Sequence, residues 1–436
     1  MLSYLTSFKE SLKSLGPGII SGAANDDPSA IGTFSQAGAQ LGFGLLWTAA
    51  FLYPMLLVTQ EMCARIGLMT GGGLTAAMKK KYHRSIVYPI TGLLIVANIV
   101  TIGVDIGAIS ASTNLILPQV PMVSVIVFYT LFIVAAEILI PYKKYVKILK
   151  YLSIFLLAYA ITAIIVGGNW NRILIASIIP HLEFSSSYIA LLVAIFGASL
   201  SPYLYFWQAS QEAEEDVDKY NIEEIGKGKP KITRKAFRLM KEDVAIGMAF
   251  SRSIAWFIII STAGSLHANG VTDIHTADEA AKALEPLVKV FPFAGEISKT
   301  IFTIGVIGVG LLAIPVMAGD CGYILSDIFE WKQGLSKKLN QAKVFYLVIS
   351  LSTIAGLSIN FLNLNLIRAL VYANVINGVV AIPILIAIIM IANDKKIVGP
   401  WINGKISNII GWCTVVMMGI LIIIMFLGIG KQLILG

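Results

Sequence analysis

Asp26 and Asp27 stand side by side, directly before Pro28, inside an apolar stretch that runs from about residue 16 to residue 40. An ionised carboxylate at membrane depth costs at least ~2.5–3.5 kcal/mol unless something compensates it. Two close carboxylates also repel, unless a cation sits between them or one is protonated. Both remedies involve a cation. Pro28 removes a backbone donor and clashes with the preceding turn, so a helix here should unwind and free its carbonyl oxygens. Free carbonyls at that depth are tolerable only beside a water-filled cavity or a bound ligand. A second interrupted stretch reads Gly197-Ala198-Ser199-Leu200-Ser201-Pro202-Tyr203. A simple proline kink is an adequate account of Pro202 taken alone, but not of Asp27-Pro28. The chemistry these residues allow is cation binding: Asp27 as the charged ligand, Asp26, Asn25 and Ser201 as further side-chain candidates, and the backbone carbonyls of Ala24 and Leu200 at the breaks.

Other polar residues in apolar surroundings are candidates for an ion path. Asp320 lies in Ala318-Gly319-Asp320-Cys321-Gly322, and is either an ion-path residue or a carboxylate hydrogen-bonded to backbone. Asn374 and Asn377, one turn apart, could hold metal-bound waters, although bonding between helices is the commoner use of such residues. Asn98 is similar, and Asp105, Tyr203 and Gln208 complete the set. Gln208, Gln211, Glu212, Glu214 and Glu215 line either an acidic vestibule or a solvated helix end. His267 and His275 are poorly spaced for a metal, and Cys63, Cys321 and Cys413 read as small packed side chains. An intramembrane aspartyl protease would need Tyr-Asp and Gly-x-Gly-Asp sequences, and neither is present. No enzyme and no cofactor is expected.

The elements that position these residues follow from composition. Of 436 residues, 57% are hydrophobic and 13% charged, with mean hydropathy +0.80. A water-soluble domain carries about twice that charged share, so lipid must solvate this surface. The net charge of +8 does not indicate nucleic acid, because the basic residues cluster in short loops between apolar segments. At about 20 residues per span, the chain divides into eleven candidates: 16–40, 44–68, 86–114, 122–140, 147–167, 187–212, 243–267, 291–328, 342–361, 364–392 and 409–430. Splitting 291–328 gives the rival count. Lysines and arginines crowd the loops after even-numbered segments, such as Lys79 to Arg84, Lys143 to Lys150, Lys219 to Lys241, Lys332 to Lys343 and Lys395 to Lys405. The positive-inside rule then places the N-terminus in the cytoplasm and the C-terminus outside the cell membrane. Met1 to Leu15 is amphipathic and shows no cleavable signal, residues 212–243 read as a solvated connector with short helices, and residues 268–292 read as an external segment with one amphipathic helix. The oligomeric state, a monomer included, is left open.

The interrupted segments are the first of five in two successive halves, about 16–167 and 187–392, with 409–430 as an extra helix. Five segments per half make the halves inverted, and paired broken helices in inverted repeats point to a transporter's midplane site.

At these residues the chain resembles the Nramp family of divalent-metal transporters. The family's Asp-Pro-Gly-Asn motif falls on Asp27-Pro28-Ser29-Ala30, its Gly-Pro-Gly on Gly16-Pro17-Gly18, its Gln-Ala-Gly-Ala on Gln36-Ala37-Gly38-Ala39, and its Met-Pro-His on Ser201-Pro202-Tyr203. The resemblance implies an all-α, eleven-span plan with the inverted-repeat fold of the bacterial leucine transporter and one transport domain over 1–436. It implies Asp27 as metal ligand. Departures matter: the motif's Asn is Ala30 and its Met is Ser201. Thioether sulfur favours soft transition metals, whereas carboxylates, carbonyls and water suit Mg²⁺. The pattern is similar to the Nramp-related magnesium transporters. The family's proton-coupling His positions are Tyr203 and Gln208 here, and one acidic position of the third helix is Ile102 while Asp105 keeps the other. The expectation is therefore uncoupled uptake of Mg²⁺ or Mn²⁺ by alternating access, since a divalent ion gains about 4.6 kcal/mol per 100 mV on entry. A proton-coupled Mn²⁺/Fe²⁺ transporter is the near alternative, and an amino-acid/sodium symporter of the same fold the farther one.

Overall fold

The computed structural model describes residues 16–140, 144, 153–220, 222–228, 230, 232–362 and 364–435. In chain order the helices are α1 (Pro17–Ala24), α2 (Pro28–Leu41), α3 (Trp47–Thr70), α4 (Leu74–Lys81), α5 (Arg84–Ile116), α6 (Met122–Leu139), α7 (Leu157–Val166), α8 (Trp170–Ile178), α9 (Ser186–Ser199), α10 (Pro202–Tyr220), α11 (Arg234–Ser265), α12 (Ala277–Ala281), α13 (Glu285–Val288), α14 (Ala294–Phe329), α15 (Lys343–Leu357), α16 (Leu366–Ala392), α17 (Lys395–Val398) and α18 (Lys405–Leu435). Among the described residues there is no strand beyond an isolated bridge between Glu224 and Lys227.

Among the described residues, eight helical stretches are long and apolar enough to cross a membrane, the broken sixth counted once. The three other expected segments look different. The first is split into α1 and α2. The second, α3, is a single helix diluted by the buried polar residues Gln60, Glu61 and Arg65. The fifth is described only from Ser153, as a turn followed by α7; Lys143, Lys147 and Lys150 lie outside the described residues, as does Met1 to Leu15. The stretch 291–328 is one helix, α14, with Pro315 inside it. Large apolar side chains on α6 and α18, such as Phe128, Leu131, Ile420 and Ile423, face outward, a surface that lipid rather than water solvates.

The expected connector 212–243 is shorter than it reads. α10 continues to Tyr220 and α11 already starts at Arg234, capped by the Thr233 hydroxyl. The charged residues stay helical because they find partners: Glu214 accepts from the Tyr323 hydroxyl at 2.5 Å and from the amides of Leu335 and Ser336 at 3.1 and 2.6 Å. Beyond α11, residues 277–288 form two short helices, α12 and α13, where one was expected.

α11 packs along both α1 and α2, α14 along α5, α9 against α16 and α10 against α3. Small residues allow the closest of these approaches. A Cβ on Gly22 would lie 2.1 Å from the Gly247 carbonyl oxygen, and one on Gly247 would lie 2.0 Å from that of Gly18. α1 therefore touches α11 backbone to backbone. Gly22→Val should force them apart and destabilise the protein by about 1–3 kcal/mol, the usual cost of overpacking. Thermal unfolding in detergent checks this, with Gly92→Val as the neutral control because nothing lies within 4 Å of Gly92.

Candidate functional site

Both helix breaks follow from their prolines. Asp27 precedes Pro28 and adopts extended backbone (φ −63°, ψ 168°), the conformation a following proline imposes. There its carboxylate caps α2: Oδ1 accepts from the Ala30 amide at 2.7 Å and from the Ser29 hydroxyl at 2.6 Å, replacing partners the first helical turn lacks. In the second break, the Ser201 hydroxyl turns back to the Gly197 and Ala198 carbonyls at 3.1 and 3.0 Å, closing the end of α9.

The breaks meet at Tyr203. Its hydroxyl lies 2.9 Å from the Ala24 carbonyl oxygen and 3.2 Å from Asp27 Oδ2. One phenol thus stands between a carbonyl freed by the break in the first span and the carboxylate across that break. Two oxygens converging on one donor are also two oxygens that a cation could bridge. Asn374 joins from α16, its side-chain oxygen 3.5 Å from the Ser29 hydroxyl and its amide nitrogen 3.0 Å from the Thr33 hydroxyl. Asp105, on α5, is fully buried within electrostatic range of Asp27 and Tyr203. It faces the Ser29 amide without a hydrogen bond of standard geometry. Asp27 is 2% exposed and Asp26, Asp105 and Tyr203 are fully buried, so the centre is occluded.

The remaining candidates point elsewhere. Asp26 Oδ1 accepts from Ser251 at 3.0 Å and lies 3.9 Å from the Arg252 guanidinium, both on α11. Asn25 faces the same pair; with its amide oxygen toward α11 it accepts from Arg252 at 2.8 Å and donates to the Ala198 carbonyl at 3.3 Å. Gln208 accepts from Ser21 at 2.7 Å and donates to Glu212 at 2.8 Å. Asn377 donates to Thr101 at 3.3 Å. Asp320 accepts from Asn98 at 2.9 Å across the α5–α14 contact, a side-chain partner and not the loop backbone. Leu200 is fully buried at the end of α9. Sequence reasoning passed over Ser251 and Arg252. The signal was present, since Arg252 is an arginine inside an apolar span, which by itself marks a functional candidate.

Latches close the centre at both ends. On the lysine-rich side the Gly18 amide donates to Asp243 at 2.6 Å, and the Ser21–Gln208–Glu212 chain joins α1 to α10. Glu212 is buried in this chain, and Glu214 in its bonds to Tyr323, Leu335 and Ser336, so neither lines an open vestibule. At the other end Gln36 accepts from the Ile274 amide at 2.9 Å and donates to Asp273 at 3.2 Å, and His267 Nδ1 lies 2.8 Å from the Ala39 carbonyl. A cavity of about 650 Å³ lies beyond that latch, bordered by Phe43, Asn169, Arg172 and His181. None of the central residues lines it.

The family model described as natural resistance-associated macrophage protein-like matches residues 18–428. Among solved structures, the Eremococcus coleocola manganese transporter, in complex with an aromatic bis-isothiourea compound, is 16% identical; the match covers 98% of this chain and 87% of that one, with a TM-score of 0.70. MhsT in complex with L-phenylalanine is 12% identical, with coverage of 95% and 98% and a TM-score of 0.58. Mhp1, a nucleobase-cation-symport-1 family transporter in a closed conformation, is 12% identical, with coverage of 96% and 93% and a TM-score of 0.57. At such identities the likeness establishes the fold: an all-α bundle of the leucine-transporter kind, broken in its first and sixth spans.

Proposed function

Since the chain belongs to the natural resistance-associated macrophage protein (Nramp) family, we propose that it carries Mn²⁺ and Mg²⁺ across the cell membrane by alternating access, with Asp27 as the charged ligand. One observation carries this reading: Asp27 Oδ2 and the Ala24 carbonyl converge, at the break in the first span, on the single hydroxyl of Tyr203. When the phenol turns aside, a cation meets a carboxylate and a carbonyl in a buried site.

The manganese transporter of Eremococcus coleocola has the same fold, which favours a divalent cargo. The donors about Asp27 are oxygens: the Ala24 carbonyl, the Ser29 and Tyr203 hydroxyls and, next to Ser29, the side-chain oxygen of Asn374. The Leu200 carbonyl and the Ser201 hydroxyl at the second break are further oxygen candidates. Such a set suits hard cations, and Mg²⁺ keeps several of its waters, which the small side chains of Ala30 and Ser201 hinder less than an asparagine and a methionine would. The metal is cargo here, not a cofactor.

The moving parts are the two halves, about 16–167 and 187–392, with 409–430 as an outer helix. The lysine-rich face is cytoplasmic by the positive-inside rule. Metal enters when the Gln36 latch opens and leaves when α1 swings from Asp243 and Gln208.

Uptake is driven by membrane potential without protons. A second reading, proton coupling through Asp105, draws on that buried carboxylate lying within electrostatic range of Asp27. Proteoliposomes with a trapped pH dye separate the two. The proposal expects Mn²⁺ uptake that Mg²⁺ inhibits, with no acidification. Uptake that acidifies the lumen and ignores Mg²⁺ would overturn both the hard-ion and the uncoupled assignments.

A further inference from the structure

A buried arginine stands beside both breaks without a part in the metal site. Arg252 is 4% exposed in the middle of α11. A guanidinium has to be compensated there, because removing it from water costs more than one exposed contact returns. Its partners come from both breaks. One amino group donates to the Ser199 hydroxyl, the last residue of α9. The other donates to Ser251 at 2.9 Å and lies 3.9 Å from Asp26 Oδ1, which Ser251 in turn bonds at 3.0 Å. Asn25, oriented with its oxygen toward α11, accepts from Arg252 at 2.8 Å. The face of Phe34 on α2 covers the guanidinium at 5.5 Å, a favourable seat for a cation.

We infer that Arg252 is a tethered cation that balances Asp26, leaving Asp27 as the one carboxylate of the break that faces the transported metal. The geometry separates the two neighbours. Asp27 turns to Ser29, Ala30 and Tyr203, while Asp26 turns to Ser251 and Arg252. Two bare carboxylates side by side would hold a divalent ion too tightly to release it quickly. One carboxylate, with the other neutralised from α11, binds more weakly and releases sooner. Arg252 is therefore a positioning residue that sets metal affinity through Asp26. Because it also bonds Ser199, it ties α11 to both breaks. This inference rests on the metal site proposed above.

A double-substitution cycle tests it, read as KM and turnover for Mn²⁺ uptake in proteoliposomes and as Mn²⁺ affinity of the purified protein by calorimetry. Asp26→Asn leaves the arginine charge uncompensated beside the metal and should raise KM and Kd by about tenfold or more. Arg252→Gln frees Asp26 and should do the opposite, lowering Kd and slowing turnover as release becomes limiting. The double variant restores neutrality and should return Kd to within about threefold of the parent, if the two charges act only on each other. Arg252→Lys keeps the charge and should keep the affinity even if folded yield falls. Opposite signs with mutual rescue support the inference.

Two outcomes overturn it. Equal weakening in Asp26→Asn and in the double variant would make Asp26 itself a ligand. Unchanged affinity in all four variants would reduce the pair to a structural bond. Asp27→Ala, run in parallel, keeps the two proposals apart. If that protein binds Mn²⁺ normally, the metal site fails; if it is inactive while the cycle shows no sign reversal, the tethered cation alone fails.

Discussion

Asp27→Asn should abolish Mn²⁺ uptake, by about a hundredfold or more, while leaving a folded protein. The carboxamide keeps an oxygen where Oδ1 now caps α2, so the helix start survives. What it removes is the charge, and a divalent ion in a buried site without a charged ligand does not recover its hydration energy. Asp27→Ala is the harsher variant: it also deletes the cap, at about 1 kcal/mol, and leaves the Ser29 and Tyr203 hydroxyls with one acceptor fewer. Comparing the two by uptake and thermal unfolding separates the lost ligand from the lost cap. Equal uptake by Asp27→Asn and the parent would remove the residue from the site.

The second large effect concerns selectivity. Ser201→Met should weaken Mg²⁺ inhibition of Mn²⁺ uptake by about tenfold or more, and improve competition by Cd²⁺, because a thioether favours soft ions. Its bulk also displaces the water that Mg²⁺ keeps. Ser201 sits at the head of the second break, with its hydroxyl engaged by the Gly197 and Ala198 carbonyls. Replacing it frees those two oxygens as well, so some loss of stability should accompany the change in selectivity. Competition curves for Mg²⁺ and Cd²⁺ against labelled Mn²⁺, measured on both proteins, decide the matter. Identical Mg²⁺ curves would show that position 201 does not filter ions.

The breaks were legible in the sequence because proline and charge are local signals. Pro28 and Pro202 each start a helix, and Asp27 in an apolar stretch announces its own exception. The helix ends were less legible where charged residues stay helical by finding partners far along the chain. Glu214 reads as solvated until the amides of Leu335 and Ser336, more than a hundred residues later, are seen to hold it. Side-chain direction was not legible at all. The motif singles out Asp27, but nothing in the sequence says where Asp26 turns; the structure takes it to Ser251 and Arg252 on α11 and leaves Asp27 with Tyr203. Asp320 and Asn98 are similar: each reads as an isolated polar residue, and the α5–α14 contact makes them a pair. Arg252 shows the opposite failure. Its signal was as local as that of Asp27, but a segment that otherwise reads as a plain span drew no attention to it.

The most direct test is to locate the ion. Crystals soaked in Mn²⁺, with data collected at the manganese edge, should show one anomalous peak in the break of the first span. It should lie about 2.0–2.6 Å from Asp27 Oδ2 and from the Ala24 carbonyl, the range of hard cation–oxygen contacts, with the Tyr203 hydroxyl moved away from both. A peak beside Asp320 instead, or no peak at the break while the protein transports Mn²⁺, would contradict the account.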